Sequence, residues 1–363
     1  MPTKSTPLSI QILPLATNKA HSLLADRCDD VLDCKLHLTT RSEIRERTYV
    51  APIDWIRAGS GFKARSPDEL MLALARIGTL NRTKRFVWRG AADHQWRLAP
   101  SLVRDFVTET GALPRELDIR RRELASVDEA RAWGLAREIG DLATDLHMLA
   151  LLQHHGVHTR LLDVTPNPMT ALWFACQNAP PGQQAGVLFA FDVTDAPTYS
   201  TINDHPTNGS IADPHGWTLR AALSKSAASA RPFLVSPALP DSRMRAQEGL
   251  FIASAVPYKP GLPGVDGLTL ASSTTVGVER LHTLFTEPSR TQGRPLSVPF
   301  CAIIIPRPVK EKMRDHLAAT YNRTERSLFP DIAGFREAWN SKRIDVTERE
   351  DVIEAQLDVD ART

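Results

Sequence analysis

The hydrophobic positions in the middle of the chain follow a helical spacing that stops at a glycine. Leucines stand three or four residues apart, at positions 142, 146, 149 and 152. This spacing predicts a helix over Asp141–His155 with one apolar face, because residues at these intervals lie on the same side. Gly156 fits the position just past the helix end, where the left-handed backbone conformation favours glycine. We therefore expect the chain to turn at this point.

A strand and a second helix are predicted directly after the turn. The apolar residues of segment 161–164 indicate a short strand. Thr165 or Asn167 can cap a helix that begins at Pro168 and runs to about residue 178, because both side chains accept hydrogen bonds from backbone N–H groups. The segment thus combines two buried helices with a polar turn, a place where functional side chains often collect.

Further elements are indicated on both sides of this segment. The sequence Ser-Pro-Asp-Glu at 66–69 has the pattern of a capping box, with proline at the first helical position. β-branched and aromatic residues indicate strands at 85–89, 186–193, 249–255 and 298–305. A late helix is predicted at 310–319. Because strands and helices mix without a strict βαβ repeat, we predict an α+β fold with a mixed or split β-sheet core flanked by helices.

The same patterns predict one large domain with an extension at each end. Residues 1–50 show no sustained period and mix charges with proline, serine and threonine, which is typical of an appendage or a small accessory layer. The main domain is expected over residues 51–345, followed by a C-terminal tail at 346–363. A hydrophobic content of 42% in 363 residues is enough for a sizeable core.

Composition and charge exclude several classes of protein. The net charge of +2 gives no overall attraction to nucleic acid. The cysteines at 28, 34, 176 and 301 have neither a zinc-binding nor a disulfide spacing. No apolar run approaches the roughly 20 residues that span a bilayer, and the N-terminus lacks the pattern of a secretion signal. We expect a cytoplasmic protein without a membrane partner.

The common signatures of phosphate loops, hydrolase elbows, zinc proteases and dinucleotide folds do not occur. His154, His155 and His158 cluster near the predicted turn, which raises the question of a metal site. No carboxylate or cysteine stands at a recognisable ligand spacing from them. Structural or hydrogen-bonding histidines are therefore favoured, and no metal is predicted.

Several sequence blocks carry the most specific signal in the chain. They are FVWRG at 86–90, APSLVRD at 99–105, the segment at 149–176, SRMRAQEGLF at 242–251 and RSLFPDIAG at 326–334. Together they resemble the FRG domain, a family named after its Phe-Arg-Gly-like motif, over roughly residues 85–339. The run QHxGxxTRLLDxTxNPxxALxFA is the specific part. One departure is Trp88, where the family usually has phenylalanine or tyrosine directly before the arginine. The resemblance makes the domain at 51–345 an expected FRG domain.

A more distant similarity connects the chain with ADP-ribosyltransferases of the Arg-Ser-Glu type. Their first strand commonly ends in aromatic-Arg-Gly, similar to Trp88-Arg89-Gly90. Their second motif places serine or threonine before a helix with an Ala-x-x-Phe pattern, similar to Thr165 followed by residues 171–174. The third motif would fall in residues 245–251. This similarity implies an ADP-ribosyltransferase-like cleft that takes NAD as a substrate, with Arg89, Thr165, Gln247 and Glu248 as candidate catalytic residues.

The chemistry of NAD cleavage explains these residue types. An arginine fork can grip the pyrophosphate or the adjacent ribose. The Thr165 hydroxyl would orient the nicotinamide ribose, and Gln247 or Glu248 would bind the 2′-hydroxyl and stabilise an oxocarbenium-like state. The FRG family strongly favours the glutamine whereas the transferases normally use glutamate, and in a strand the two side chains would face opposite ways. The choice between Gln247 and Glu248 therefore stays open.

The same similarity implies a wider set of residues that bind the NAD substrate. Its members are Arg89, Gly90, His154, Thr159, Arg160, Asp163, Trp173 and Phe251. Glycine at 90 would let a ligand approach the backbone. A buried ion pair that fixes the turn is an equal alternative for Arg160 and Asp163, and core packing is the default alternative for Trp173 and Phe251.

The resemblance implies a function in the transfer of ADP-ribose from NAD to a macromolecule, which could be nucleic acid or protein. A toxin or antiphage defence effector is the expected setting, with a possible antitoxin or immunity partner. Two alternatives use the same cleft. One is a non-catalytic module that binds a nucleic acid or a nucleotide, and the other is an NAD glycohydrolase with water as the acceptor.

Overall fold

The computed structural model describes residues 53–80, 84–138, 144–178, 184–200, 217–237, 240–259, 261–270, 281–282, 286 and 298–341. The chain divides into two compact units, residues 1–47 and 48–363, and all described residues belong to the second. The predicted appendage at 1–50 and the predicted tail at 346–363 lie outside the described residues. The domain boundaries therefore stay a prediction.

The described part of the chain contains both strands and helices. The strands are β1 (Gly61–Lys63), β2 (Phe86–Ala91), β3 (Leu162–Val164), β4 (Gly186–Asp192), β5 (Thr198–Ser200), β6 (Phe233–Ser236), β7 (Leu250–Ala253) and β8 (Phe300–Ile305). The helices are α1 (Pro67–Leu80), α2 (Ser101–Thr110), α3 (Glu116–Ala132), α4 (Asp145–His154), α5 (Pro168–Ala175), α6 (Trp217–Ser229), α7 (Ser242–Gln247), α8 (Arg307–Tyr321), α9 (Glu325–Leu328) and α10 (Ile332–Asn340).

The strands form two four-stranded sheets, in the orders β1-β8-β4-β2 and β3-β7-β6-β5. In the first sheet β1 runs parallel to β8, and β4 runs antiparallel to both β8 and β2. In the second sheet β5 is parallel to β6, and β7 is antiparallel to both β3 and β6. Each sheet is therefore mixed, which confirms the predicted α+β class with a split sheet core.

The two sheets touch where β2 passes the end of β3. The Trp88 N–H donates to the Thr165 carbonyl at 2.8 Å, and the Thr165 N–H donates back to the Trp88 carbonyl at 2.9 Å. This isolated antiparallel bridge lies just past the last residue of β3. Arg89, the next residue of β2, therefore lies at the point where the two sheets part.

The helix and turn at the centre of the chain form as predicted, within shorter limits. Helix α4 begins at Asp145, because the Thr144 side chain caps it by accepting from the His147 N–H. Gly156 has a φ of +86°, the left-handed conformation expected after a helix end. Helix α5 is capped by Asn167, whose side chain accepts from the backbone N–H groups that follow it. Thr165, the other candidate cap, lies in the bridge instead.

Helix α5 packs unusually close to the first sheet. A Cβ atom on Gly90 would lie 1.9 Å from the Ala171 carbonyl oxygen, and one on Gly186 would lie 2.0 Å from the Ala175 carbonyl oxygen. Both glycines are needed because the helix backbone occupies the space that a side chain would fill. On this face of Gly90 the α5 backbone leaves no room for a ligand.

No helix in the described ranges is both long and apolar enough to cross a membrane.

Candidate functional site

A cavity of about 720 Å³ opens where the two sheets part. Its lining comes from the end of β2, the strand β3, the C-terminal end of α4 and one side of α5. Helix α7 and the start of α10 complete the wall. A concave site of this size between secondary-structure elements is typical of a small-molecule pocket.

An arginine and an aspartate stand together in this cavity. The Arg89 Nη1 atom donates to the Asp163 backbone oxygen at 2.7 Å and lies 3.4 Å from the Asp163 Oδ2 atom. The Asp163 side chain is 57% exposed and the Arg89 side chain 24%, so the carboxylate is the more open of the two. Burial lowers the pKa of Arg89 and outweighs the Asp163 carboxylate, which raises it. The cavity wall therefore carries a partly desolvated guanidinium beside an open carboxylate.

A short hydrogen-bond chain orients the Asp163 carboxylate. The Gln153 Nε2 atom donates to Asp163 Oδ2 at 3.3 Å, and the Thr159 hydroxyl donates to Gln153 Oε1 at 2.8 Å. Thr159 is fully buried and does not line the cavity. Its contribution to the site passes through Gln153, which lines the cavity and which the sequence analysis missed.

Thr165 presents its side chain to the same cavity, although its backbone is locked in the bridge between the sheets. The hydroxyl oxygen accepts from the Asn167 N–H at 3.1 Å. Because a hydroxyl has one donor as well as two acceptor sites, this bond leaves the donor for a ligand. The predicted placement of a hydroxyl just before a helix is thus present, two residues before the α5 cap.

The third motif lies at the end of α7, just before β7 begins at Leu250. Gln247 is the last residue of α7, and its Nε2 atom donates to the Leu328 carbonyl at 3.0 Å. Glu248 follows in the left-handed conformation with a φ of +52°. Its carboxylate accepts from Asn167 Nδ2 at 2.7 Å and from Arg323 Nη2 at 3.3 Å. Gln247 lines the cavity and Glu248 does not.

Arg160 lies outside the cavity, in a buried cluster with two glutamates of α3. Its Nε atom donates to Glu123 Oε2 at 2.7 Å, and its Nη1 atom donates to Glu116 Oε1 at 2.9 Å. Only 1% of the Arg160 and Glu123 side chains is exposed. Burial raises the pKa of Glu123, and the Arg160 charge opposes that rise. The predicted buried ion pair therefore exists for Arg160, but with these glutamates in place of Asp163.

The two aromatic candidates are not on the cavity wall. Phe251 is fully buried in the core beneath the second sheet. Trp173 packs edge-on against Phe174, with ring centroids 5.1 Å apart, and against Phe329 at 5.9 Å. Phe174 and Trp88 are aromatic residues that do line the cavity. Core packing, the default alternative for Phe251, is what the structure has.

His154 lines the cavity and meets an aspartate that the sequence analysis did not identify. The His154 Nε2 atom lies 2.5 Å from Asp241 Oδ2. Asp241 is the N-cap of α7, so its position before a short helix was the one signal that could have found it. Burial raises the pKa of Asp241, but hydrogen bonds from the Met244 N–H and from His154 together hold it below its usual value.

The histidines do not gather around a common point. His158 bonds to Asp105 Oδ2 at 2.6 Å and does not line the cavity. Across the ranges that the structure describes, no group of three or more histidine, cysteine, aspartate or glutamate side chains could hold a metal ion.

The sequence of this region matches a known family. The family model of the FRG domain matches residues 84–184, which span β2 to α5. The matched segment contains Arg89, His154, Asp163 and Thr165, whereas Gln247 lies beyond it. No curated protein and no solved structure matches the chain.

Proposed function

We propose that the cavity binds NAD and that the protein transfers ADP-ribose from it to a macromolecule. One observation carries this proposal. Arg89, Thr165 and Gln247 are separated by up to half the chain in sequence, yet all three line one cavity. They are the residues that the similarity to Arg-Ser-Glu type transferases puts in the first, second and third motifs.

Arg89 would hold the diphosphate or the neighbouring ribose. Its Nη1 atom is bonded to Asp163, while its Nε and Nη2 atoms donate to none of the described residues. A guanidinium with free donors can bind a phosphate in the bidentate manner that lysine cannot. The bond to the Asp163 backbone fixes the direction of the fork before the ligand arrives.

Thr165 and Gln247 would hold the nicotinamide ribose. The Thr165 hydroxyl retains its donor, and the Gln247 Oε1 atom retains its acceptor sites because Nε2 makes the bond to Leu328. An acceptor on the 2′-hydroxyl favours the positive charge that builds on the ribose carbon as nicotinamide leaves. Asp163 adds the negative charge that Glu248 does not bring to the cavity.

The acceptor would be a nucleic acid or a protein. A toxin or antiphage effector is the setting in which such a transfer would be used, with an antitoxin or immunity protein as a partner. NAD would serve as a substrate, and none of these steps needs a metal ion.

The proposal is tested with purified protein, NAD labelled in its adenylate part, and separate DNA, RNA and protein acceptors. Arg89→Gln and Gln247→Ala should each abolish label transfer, whereas Arg122→Gln should retain it. Arg122 is a matched control because it binds a carboxylate through two bonds at 2.9 and 2.8 Å and does not line the cavity. Glu248→Gln separates the third-motif candidates, since retained transfer assigns the role to Gln247.

A second candidate function is binding without turnover. The observation that favours it is the position of the Glu248 carboxylate, which bonds to Asn167 and Arg323 outside the cavity. Calorimetry with NAD separates the two functions. Heat of binding without release of nicotinamide from the folded protein contradicts the transferase, and nicotinamide release with free ADP-ribose as the one product shows a glycohydrolase.

A further inference from the structure

A histidine and an aspartate from different elements meet on the cavity wall and have no part in holding NAD as proposed above. His154 is the last residue of α4, and Asp241 is the N-cap of α7. Their Nε2 and Oδ2 atoms are 2.5 Å apart. Both residues line the cavity that contains Arg89 and Gln247.

The contacts of Asp241 determine which nitrogen of the ring is free. Asp241 Oδ1 accepts from the Met244 N–H at 2.8 Å, so the carboxylate is fixed by the helix it caps. A carboxylate only accepts hydrogen bonds, and we therefore assign the ring proton to His154 Nε2. The Nδ1 atom then carries a lone pair, and it has no hydrogen bond to any residue in the described ranges.

Charged groups lie around the His154 ring on the cavity wall. The Asp241 carboxylate stays ionised because the Met244 N–H and the ring both stabilise its charged form. The C-terminal end of α4 adds a partial negative charge beside His154. The other titratable or charged groups on the cavity wall are His155, whose ring lies 5.1 Å from that of His154, the Arg89 and Asp163 pair, Arg243 and Asp331.

We propose that His154 is the general base of the transfer, accepting at Nδ1 the proton of the hydroxyl or amino group that attacks the ribose. This proposal rests on the function proposed above. The bond between C1′ and the nicotinamide nitrogen breaks, and its electron pair leaves with neutral nicotinamide. The acceptor oxygen or nitrogen forms the new bond to C1′, its proton passes to His154, and the ring returns that proton to solvent. Asp241 is a positioning residue, because it touches only the ring.

The test uses the full chain with NAD and methanol as a small acceptor, and measures methyl ADP-ribose and nicotinamide. His154→Ala should lower methyl ADP-ribose formation by about 100-fold or more, the usual effect of losing a general base. The Kd for NAD should not change, and added imidazole should restore part of the rate. His158→Ala is the matched control, because His158 also pairs with an aspartate, through Nδ1 to Asp105 Oδ2 at 2.6 Å, but does not line the cavity.

The role of Asp241 is tested by Asp241→Asn, which keeps an oxygen for the α7 cap and removes the charge. It should lower the transfer rate in the wild-type background and have no further effect in His154→Ala, because its action passes through the ring.

Two kinds of failure can be told apart. Wild-type protein that neither binds NAD nor releases nicotinamide overturns the proposed function, and the base assignment with it. Wild-type protein that turns over NAD, while His154→Ala keeps full transfer or gains nothing from imidazole, overturns only the assignment of His154.

Discussion

Neutralising one carboxylate beside Arg160 is expected to cost a large part of the stability of the fold. In Glu123→Gln the guanidinium keeps Glu116 but loses the Glu123 charge that it meets at 2.7 Å. Glu123 also accepts from the Arg160 backbone N–H at 3.0 Å, so the change affects both main chain and side chain. Removing one partner of a buried ion pair costs about 3–5 kcal/mol, and the remaining amide oxygen puts this variant near the lower end.

The large stability cost expected for Glu123→Gln comes from burial of the ion pair and not from the geometry of its hydrogen bonds. Glu109 makes a two-bond pair with Arg122, at 2.9 and 2.8 Å, that resembles the Arg160 cluster in its distances. The side chains of that pair are 50% and 42% exposed, whereas those of Glu123 and Arg160 are 1% exposed. Solvent screens the exposed pair, so Glu109→Gln should leave the free energy of unfolding nearly unchanged.

Urea denaturation followed by circular dichroism measures both free energies of unfolding under one condition. The triple variant Arg160→Met/Glu123→Leu/Glu116→Gln should recover much of the loss, because no buried charge of the cluster remains without a partner. A Glu123→Gln protein as stable as Glu109→Gln would refute the account of the cluster. Loss of NAD binding at unchanged stability would point instead to a direct part for Arg160 in the site.

The remaining predictions concern pH, packing and a helix cap. Burial lowers the pKa of His147 from 6.5 to about 4. As the pH falls through this window, His147 becomes protonated in the unfolded chain but stays neutral in the folded protein. The free energy of unfolding should fall by up to about 3 kcal/mol over that range and level off below it. Denaturation curves at several pH values measure this dependence, which should be absent in His147→Asn. Gly90→Ala should lower the melting temperature and weaken ligand binding by pushing α5 off β2, since its Cβ would lie 1.9 Å from the Ala171 oxygen. Gly78→Ala in α1, where nothing lies within 4 Å, should instead stabilise the protein by roughly 0.5–1 kcal/mol, and equal melting temperatures for the two variants would contradict the packing argument. Asn167→Ala removes the α5 cap and should cost about 1 kcal/mol in the free energy of unfolding, whereas Asn167→Ser, which keeps a capping oxygen without adding a charge beside Glu248, should cost less.

Elements with a local cause were predictable from the sequence. The turn at Gly156 and the start of α5 at Asn167 and Pro168 depend on residues within a few positions of each other. The same holds for α1, where the Ser66 hydroxyl accepts from the Glu69 N–H at 3.1 Å. Helix caps and turns depend on residues that are close in sequence, so they can be predicted from a single sequence.

Partners that are distant in sequence were not predictable. Glu116 and Glu123 stand in a densely charged helix whose pattern gave no sign that two of its carboxylates are buried around Arg160. The choice between Gln247 and Glu248 stayed open in the sequence, because it depends on a short helix that Asp241 caps and Glu248 ends in the left-handed conformation. Such pairings depend on how the two sheets meet, which no local spacing encodes.

The bridge between Trp88 and Thr165 also determines what the cavity can recognise without side chains. The backbone N–H and C=O groups of Trp88 bond to Thr165. Every second residue of a strand directs these groups to the same side, so the N–H and C=O of Gly90 also face away from β4, on the side of the cavity that Gly90 lines. An edge strand offers its N–H and C=O groups to any planar amide that lies alongside it. Main-chain recognition of this kind survives most amino-acid replacements.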